Sequence, residues 1–99
     1  MRKFDVPGKT IHVSTGERFA VVLESNPSTG YTWQVSTDEH YLELLAQDFE
    51  PHGQGVGAGG REIFDFRALS TGQVTITCEY RRPWDREARD VASFEVGIA

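Results

Sequence analysis

The chain has 99 residues, a formal net charge of −5 and 25% charged residues, a composition typical of one soluble globular domain. The acidic balance argues against a nucleic-acid partner, because phosphate binding requires a basic face. No apolar run approaches the roughly 18 residues that a membrane span requires. The first ten residues, MRKFDVPGKT, lack the apolar region of a secretory signal. We therefore predict a single domain over 1–99 without a nucleic-acid or membrane partner, and the compartment stays open.

Alternation of apolar and polar residues recurs along the whole chain, and no stretch has the 3.6-residue period of an amphipathic helix. The first two predicted strands are 9–14 and 18–24. The STGE between them imitates a helix capping box, but the β-branched and aromatic run after it favours a turn. Five further strands are predicted at 31–36, 41–47, 61–69, 73–81 and 91–98. The fourth is ambiguous, because it also fits a short helix that begins near Leu42, Leu44 and Leu45.

Seven to eight short strands in about 100 residues, with turn signals between them, are typical of an all-β, immunoglobulin-like antiparallel β-sandwich. A β-barrel is the competing architecture. An α/β fold is excluded, because long helical patterns between the strands are absent. Trp33 lies inside the third predicted strand, so we expect it to be the buried tryptophan of the sandwich core.

Cys78 is the only cysteine, so the chain cannot form an internal disulfide. It alternates with Val74 and Ile76 on one face of a predicted strand, which favours a buried core position over a reactive thiol. No metal-site spacing relates the three histidines, which are His12, His40 and His52. The sequence predicts no metal and no cofactor.

The connections between the predicted strands fall into two classes. The first, third and fifth are short turns, whereas the second, fourth and sixth are long: SNPSTG, DFEPHGQGVGAGG and RPWDREARD. Successive connections of an antiparallel sandwich fall at alternate ends, so the three long loops share one end. Long loops of unusual composition are commonly functional, as in antibody variable domains. We therefore predict a binding surface at that end.

The second loop has the composition of a rigid turn. Pro27 pushes Asn26 out of the helical region, and Gly30 supplies a conformation that other residues avoid. The hydroxyls of Ser28 and Thr29 are suited to hydrogen bonds with nearby backbone. A rigid loop loses little entropy on docking, so this segment is suited to act as a wedge.

The other two long loops carry different chemistry. The fourth spells G-x-G-x-x-G through Gly55, Gly57 and Gly60, but a β-alternating run follows it, so we reject dinucleotide binding. We interpret its glycines as exposed backbone for main-chain hydrogen bonds along a cleft, with a flexible linker as the alternative. In the sixth loop, Trp84 follows Pro83 after a strand and is expected to stand out as a binding hot spot.

Three motifs, NPSTGYTW, GVGAGGREIFDF and YRRPW, in this order and at these separations, resemble the chagasin family of cysteine-protease inhibitors. The resemblance covers the chain from about Ser14 to the C terminus. It implies a non-enzymatic, reversible inhibitor that inserts loops 25–31, 54–60 and 82–85 from one end of a β-sandwich into the cleft of a papain-like protease. We expect such an inhibitor to act as a monomer.

The resemblance also implies roles for the three loops. The wedge lies over the catalytic Cys and His of the protease, with the hydroxyl of Ser28 or Thr29 close to them. The glycine loop pairs by its backbone with the side of the cleft before the scissile bond, where Val56 enters an apolar subsite. Trp84 stacks on an aromatic residue of the enzyme on the other side. The implied protease-binding residues are Asn26, Pro27, Ser28, Thr29, Gly30, Tyr31, Val56, Gly57, Ala58, Gly59, Gly60, Arg82, Pro83 and Trp84.

This sequence departs from the family pattern at two positions, where Ser28 replaces the usual threonine and Tyr31 the commoner phenylalanine. Two other functions stay open. A carbohydrate-binding or adhesion module would stack Trp84 and Tyr31 on a sugar. A hydrolase is disfavoured, because His52 lies in the loosest loop and no nucleophile elbow surrounds Ser28.

Overall fold

Residues 1–53 and 59–99 are described by a computed structural model of the chain. They form eight strands and one 3-10 turn, Pro27–Thr29, which lies between the third and fourth strands. No helix among these residues is long and apolar enough to cross a membrane. The strands are β1 (Arg2–Phe4), β2 (Ile11–Val13), β3 (Arg18–Ser25), β4 (Thr32–Ser36), β5 (Leu42–Pro51), β6 (Gly60–Ala68), β7 (Gly72–Arg81) and β8 (Asp90–Ile98).

The strands form two four-stranded sheets, in the orders β1-β3-β6-β5 and β2-β8-β7-β4. The central pairings are antiparallel, whereas β1 pairs with β3 and β2 pairs with β8 in parallel at the sheet edges. The buried core draws side chains from both sheets, which therefore pack face to face. The predicted β-sandwich is confirmed, and the barrel alternative is wrong.

Period-2 alternation in the long strands builds the core. In β6, Phe64, Phe66 and Ala68 point inward and are buried, whereas the residues between them are more exposed. Phe19 of β3 stacks on Phe66, with ring centroids 5.7 Å apart. Full burial of each such phenylalanine stabilises the fold by about 2–3 kcal/mol relative to exposure. Trp33 is buried at 6% exposure, as predicted.

The fourth predicted strand differs most from its observed counterpart. β5 continues to Pro51 instead of ending at residue 47, because Asp48, Phe49, Glu50 and Pro51 pair with the first four residues of β6, from Ile63 back to Gly60. Its leucines lie in this strand with a register shift between Leu44 and Ala46, so the helix alternative is wrong. The fourth loop is correspondingly shorter than predicted. β1 falls outside the seven predicted ranges.

The STGE segment is a turn, as predicted. The N–H of Glu17 donates to the carbonyl of Ser14 at 2.9 Å, and Gly16 has a φ of 87°. The Glu17 carboxylate accepts from the Ser14 N–H at 3.0 Å, so the capping-box contact exists without a helix after it.

Cys78 is fully buried at 0% exposure, and this burial raises the pKa of its thiol to about 11. Since the thiolate is the reactive form, we expect the native thiol to resist a disulfide reagent at pH 8 and to react fully in denaturant. The folded state keeps its proton more tightly than the unfolded state, so this group's contribution to stability is lost as the pH rises above about 8.5. Rapid labelling of native protein at pH 8 would contradict the prediction.

Candidate functional site

The three long connections emerge at one end of the sandwich. Ser25, the last residue of β3, pairs with Gly60, the first of β6, and Pro51, the last of β5, also pairs with Gly60. In the other sheet, Thr32 pairs with Arg81. The predicted clustering is thus confirmed for the described residues, and we call this end the loop pole.

The segment 25–31, called the wedge, has a tightly determined backbone. Asn26 has φ −131° and ψ 86°, outside the helical region as Pro27 demands. The N–H of Thr29 donates to Asn26 O at 3.1 Å, and that of Gly30 to Pro27 O at 2.9 Å. Gly30 ends the turn with a φ of 86°, the left-handed conformation that favours glycine. The wedge is therefore a closed turn that projects from the pole.

The hydroxyls of Ser28 and Thr29, in the turn of the wedge, are exposed and both donate internally. Ser28 Oγ donates to Asn26 Oδ1 at 2.6 Å, and Thr29 Oγ1 donates to Asn26 O at 2.7 Å. A hydroxyl that donates once still has lone pairs that accept hydrogen bonds. Because their protons bond within the loop, both hydroxyls are left to act as acceptors toward a partner, although Thr29 Oγ1 also accepts a long hydrogen bond from the Tyr31 N–H at 3.5 Å.

The segment 82–85, called the tryptophan loop, is closed by an ion pair. Asp85 Oδ2 accepts from Arg82 Nε at 2.9 Å, and Asp85 Oδ1 accepts from Arg82 Nη2 at 3.2 Å. This hydrogen bonding lowers the pKa of Asp85 and raises that of Arg82. Trp84, at the tip, is 71% exposed, and the Arg82 guanidinium lies 5.4 Å from its ring. The expected protruding tryptophan is confirmed.

A stack of aromatic rings connects the core to both loops. The ring centroids of Trp33 and Tyr80 are 4.8 Å apart, and those of Tyr80 and Tyr31 are 5.4 Å apart. The guanidinium groups of Arg82 and Arg89 lie 5.1 and 5.2 Å from the Tyr31 ring. Such contacts restrict the side chains that surround the wedge.

The base of the glycine loop, 54–60, lies against the wedge. Gly59 has a φ of 74°, and a Cβ there would approach the carbonyl oxygen of Ser25 to 3.2 Å. The N–H of His52 donates to Gly59 O at 3.1 Å. Gly60 is buried. Val56, Gly57 and Ala58, three of the implied binding residues, lie outside the described residues.

The sequence profile of the chagasin family of peptidase inhibitors, I42, matches residues 12–98. This chain belongs to the chagasin family. The inhibitor is 34% identical over 82 residues to amoebiasin-1 of Entamoeba histolytica, covering 82% of this chain and 80% of that protein. It is 32% identical over 95 residues to chagasin of Trypanosoma cruzi, covering 90% of this chain and 86% of that protein.

A solved structure has the same fold. The crystal structure of the cysteine protease inhibitor EhICP2 from Entamoeba histolytica superposes with a TM-score of 0.87 at 28% identity, covering 99% of this inhibitor and 95% of that chain. Membership of a peptidase-inhibitor family places this protein among non-enzymes.

The geometry gives no support to a hydrolytic triad in the described part of the inhibitor. The Ser28 hydroxyl donates to Asn26, whereas His52 Nε2 lies 2.6 Å from Glu24 Oε2. Within residues 1–53 and 59–99, no three His, Cys, Asp or Glu side chains gather as a metal site.

Two side chains at the inhibitor's loop pole, Tyr80 and Glu62, are not among the site residues predicted from the sequence. Tyr80 stacks in the aromatic column, and Glu62 is only 5% exposed on the inward face of β6. Glu62 had a detectable signal, because it occupies an inward position in the alternation of REIFDF, where an apolar residue is expected. Tyr80 carries no such signal in the sequence, because its contact with Trp33 depends on the pairing of β4 with β7.

Proposed function

We propose that this inhibitor blocks papain-like cysteine proteases by inserting loops 25–31, 54–60 and 82–85 into the active-site cleft. The observation that carries the proposal is the close approach of the wedge and the tryptophan loop at one pole. A Cβ on Gly30 would lie 3.7 Å from Arg82 Cγ and 3.8 Å from the Trp84 ring. Two projecting loops in contact, beside the base of a third, form a continuous ridge that is complementary to a cleft. The likeness to EhICP2, a cysteine protease inhibitor, supports the class of target.

In this proposal, each part of the ridge meets a different part of the enzyme. The wedge, with Asn26, Pro27, Gly30 and Tyr31 as its frame, places the hydroxyl of Ser28 or Thr29 near the catalytic Cys and His. These hydroxyls act as acceptors, because their own protons are bonded within the loop. An imidazolium N–H of the protease is a suitable donor.

The flanking loops would cover the two arms of the cleft. Trp84, next to Arg82 and Pro83, buries a large rigid surface against an aromatic residue of the enzyme. On the other arm, the backbone of Gly57, Ala58, Gly59 and Gly60 pairs with the cleft wall, and the side chain of Val56 enters an apolar subsite.

The wedge backbone differs from that of a substrate. A peptide that pairs with a cleft wall is extended, whereas Pro27–Thr29 is a 3-10 turn that ends in the left-handed Gly30. No peptide bond of this turn lies in an extended register for attack. We therefore expect reversible inhibition without cleavage of the inhibitor.

The primary experiment is a titration of active papain with the inhibitor, which follows hydrolysis of a small fluorogenic peptide. The expected result is reversible inhibition near one-to-one, with an intact inhibitor recovered by mass spectrometry after long incubation. A well-folded sample that inhibits neither papain nor a cathepsin-type relative would overturn the proposal and favour the carbohydrate-binding alternative.

The glycine loop is tested by Gly59→Pro. Proline fixes φ near −65°, whereas Gly59 has a φ of 74°, so the base of the loop must rearrange. We expect inhibition of papain to weaken at least about a hundredfold, equivalent to roughly 2.8 kcal/mol, while circular dichroism shows a folded domain.

The matched control is Gly16→Pro, which also places a proline at a residue with a positive φ, here 87°. Gly16 lies in the turn between β2 and β3, at the opposite end of the sandwich. Gly16→Pro is expected to lower the stability of the domain. Its inhibition of papain is expected to equal that of the wild type. Unchanged inhibition by Gly59→Pro would remove the glycine loop from the proposed interface.

A further inference from the structure

The wedge connects β3 in one sheet to β4 in the other, and on either side of its turn a backbone N–H donates to a side chain of the opposite sheet. The backbone N–H of Asn26, directly after β3, donates to the hydroxyl of Tyr80 at 3.0 Å, and Tyr80 belongs to β7 of the other sheet. The backbone N–H of Trp33, in β4, donates to Glu62 Oε2 at 3.1 Å, and Glu62 belongs to β6 of the first sheet. The two bonds therefore cross between the sheets in opposite directions.

Glu62 is an unusual residue for its position. It is 5% exposed and shares the inward face of β6 with Phe64 and Phe66. Burial of a carboxylate is costly, and replacement of buried ionic groups by apolar residues of similar volume is often neutral or stabilising. Stability alone therefore does not explain a carboxylate here. Its observed partner is a backbone N–H of β4, the edge strand of its sheet.

Tyr80 contacts both ends of the wedge at once. Its ring lies against Trp33 and Tyr31, which follow the turn, with centroids 4.8 and 5.4 Å away. Its hydroxyl accepts the hydrogen bond from Asn26, which precedes the turn. A single rigid side chain thus fixes the separation of the two ends.

We propose that Tyr80 and Glu62 are positioning residues that form a cross-sheet clamp, which holds the wedge in the geometry that enters the protease cleft. The inference rests on the proposed function for its inhibitory consequence. A loop that is fixed before docking loses less conformational entropy on binding. Loosening of the clamp therefore weakens inhibition, chiefly through faster dissociation.

The test uses variants that each change one hydrogen bond. Tyr80→Phe removes the hydroxyl and keeps the ring stack. Glu62→Met removes the acceptor at similar volume, whereas Glu62→Gln keeps an amide oxygen that accepts from Trp33. We expect Tyr80→Phe and Glu62→Met each to raise the inhibition constant for papain about tenfold, the effect of one hydrogen bond of roughly 1.4 kcal/mol. Glu62→Gln is expected to stay within about threefold of the wild type, as rescue by a conservative variant.

A second readout requires no protease. Amide hydrogen exchange of residues 26–33 is expected to accelerate about tenfold in Tyr80→Phe and Glu62→Met, relative to exchange in the core strands β7 and β8. The control is Val96→Ala, which opens a cavity at a buried residue far along β8 from the loop pole. It is expected to lower the melting temperature at least as much as the clamp variants, with unchanged inhibition and no selective acceleration in residues 26–33.

The outcomes separate the two proposals. Faster exchange in 26–33 supports the clamp even when the wild type fails to inhibit papain, a failure that would count against the proposed function alone. Inhibition and exchange within twofold of wild type in both clamp variants would overturn the clamp. The clamp would also be overturned if Val96→Ala weakened inhibition as much as Tyr80→Phe and Glu62→Met do. Inhibition would then depend on the stability of the whole domain and not on the position of the wedge.

Discussion

Trp84→Ala is expected to weaken inhibition of papain at least a hundredfold, or about 2.8 kcal/mol, and to leave the melting temperature within about 2 °C of wild type. The ring is 71% exposed in the free protein, so its removal opens no cavity in the core. In the proposed complex, the same ring would become the most buried part of the tryptophan loop. The measurement pairs an inhibition titration with a thermal melt of the same sample.

The matched control is Leu69→Ala, which truncates an apolar side chain that is 40% exposed near the opposite end of the sandwich. This variant is expected to inhibit as well as the wild type. A loss of inhibition common to both variants would point to a general surface effect, and a loss in neither would exclude Trp84 from the interface.

Gly60→Ala is expected to lower the free energy of unfolding by about 3 kcal/mol, which corresponds to a fall in melting temperature of about 15 °C for a domain of this size. The destabilisation comes from a steric clash of the added methyl group and not from backbone strain, because Gly60 has no positive φ. A Cβ would lie 2.6 Å from Phe49 Cζ and 2.8 Å from Pro51 Cα, and would clash with the carbonyl oxygen of Glu50. The backbone of β5 leaves no room for a methyl group. Chemical denaturation measures the loss.

Gly53→Ala is the control for this effect, because a Cβ there has no atom within 4 Å among the described residues. Its unfolding free energy is expected to stay within about 0.5 kcal/mol of wild type. Equal stability of Gly60→Ala and Gly53→Ala would show that β5 moves away at low cost.

The strands were predictable where one face is buried and the other is not. In REIFDFRAL, the buried Phe64, Phe66 and Ala68 alternate with more exposed residues, because β6 is central in its sheet and packs one face on the core. The end of β5 was not predictable, because Asp48, Glu50 and Pro51 are poor strand formers and are held by pairing with β6. β1 has three residues and depends on its parallel pairing with β3, a tertiary contact that leaves no local pattern.

The loops of the site could be found from the sequence, because their chemistry is local. Pro27 and Gly30 dictate the turn of the wedge by their own backbone preferences, and Pro83 places Trp84 outside the strand. The groups that hold these loops could not be found in the same way. Tyr80 and Glu62 lie on strands far from the wedge in the chain, and only the strand order brings them to Asn26 and Trp33.

The two tryptophans also provide two separate optical signals within one unlabelled chain. Indole emission shifts to longer wavelength in water, so Trp84, at 71% exposure, is expected to emit on the red side of the fluorescence spectrum and Trp33, at 6% exposure, on the blue side. In the proposed complex, docking of the protease on the loop pole would cover the first ring and leave the second in place. Unfolding instead exposes the second ring and changes the first little. A single emission spectrum therefore distinguishes a protein that has bound from one that has lost its fold.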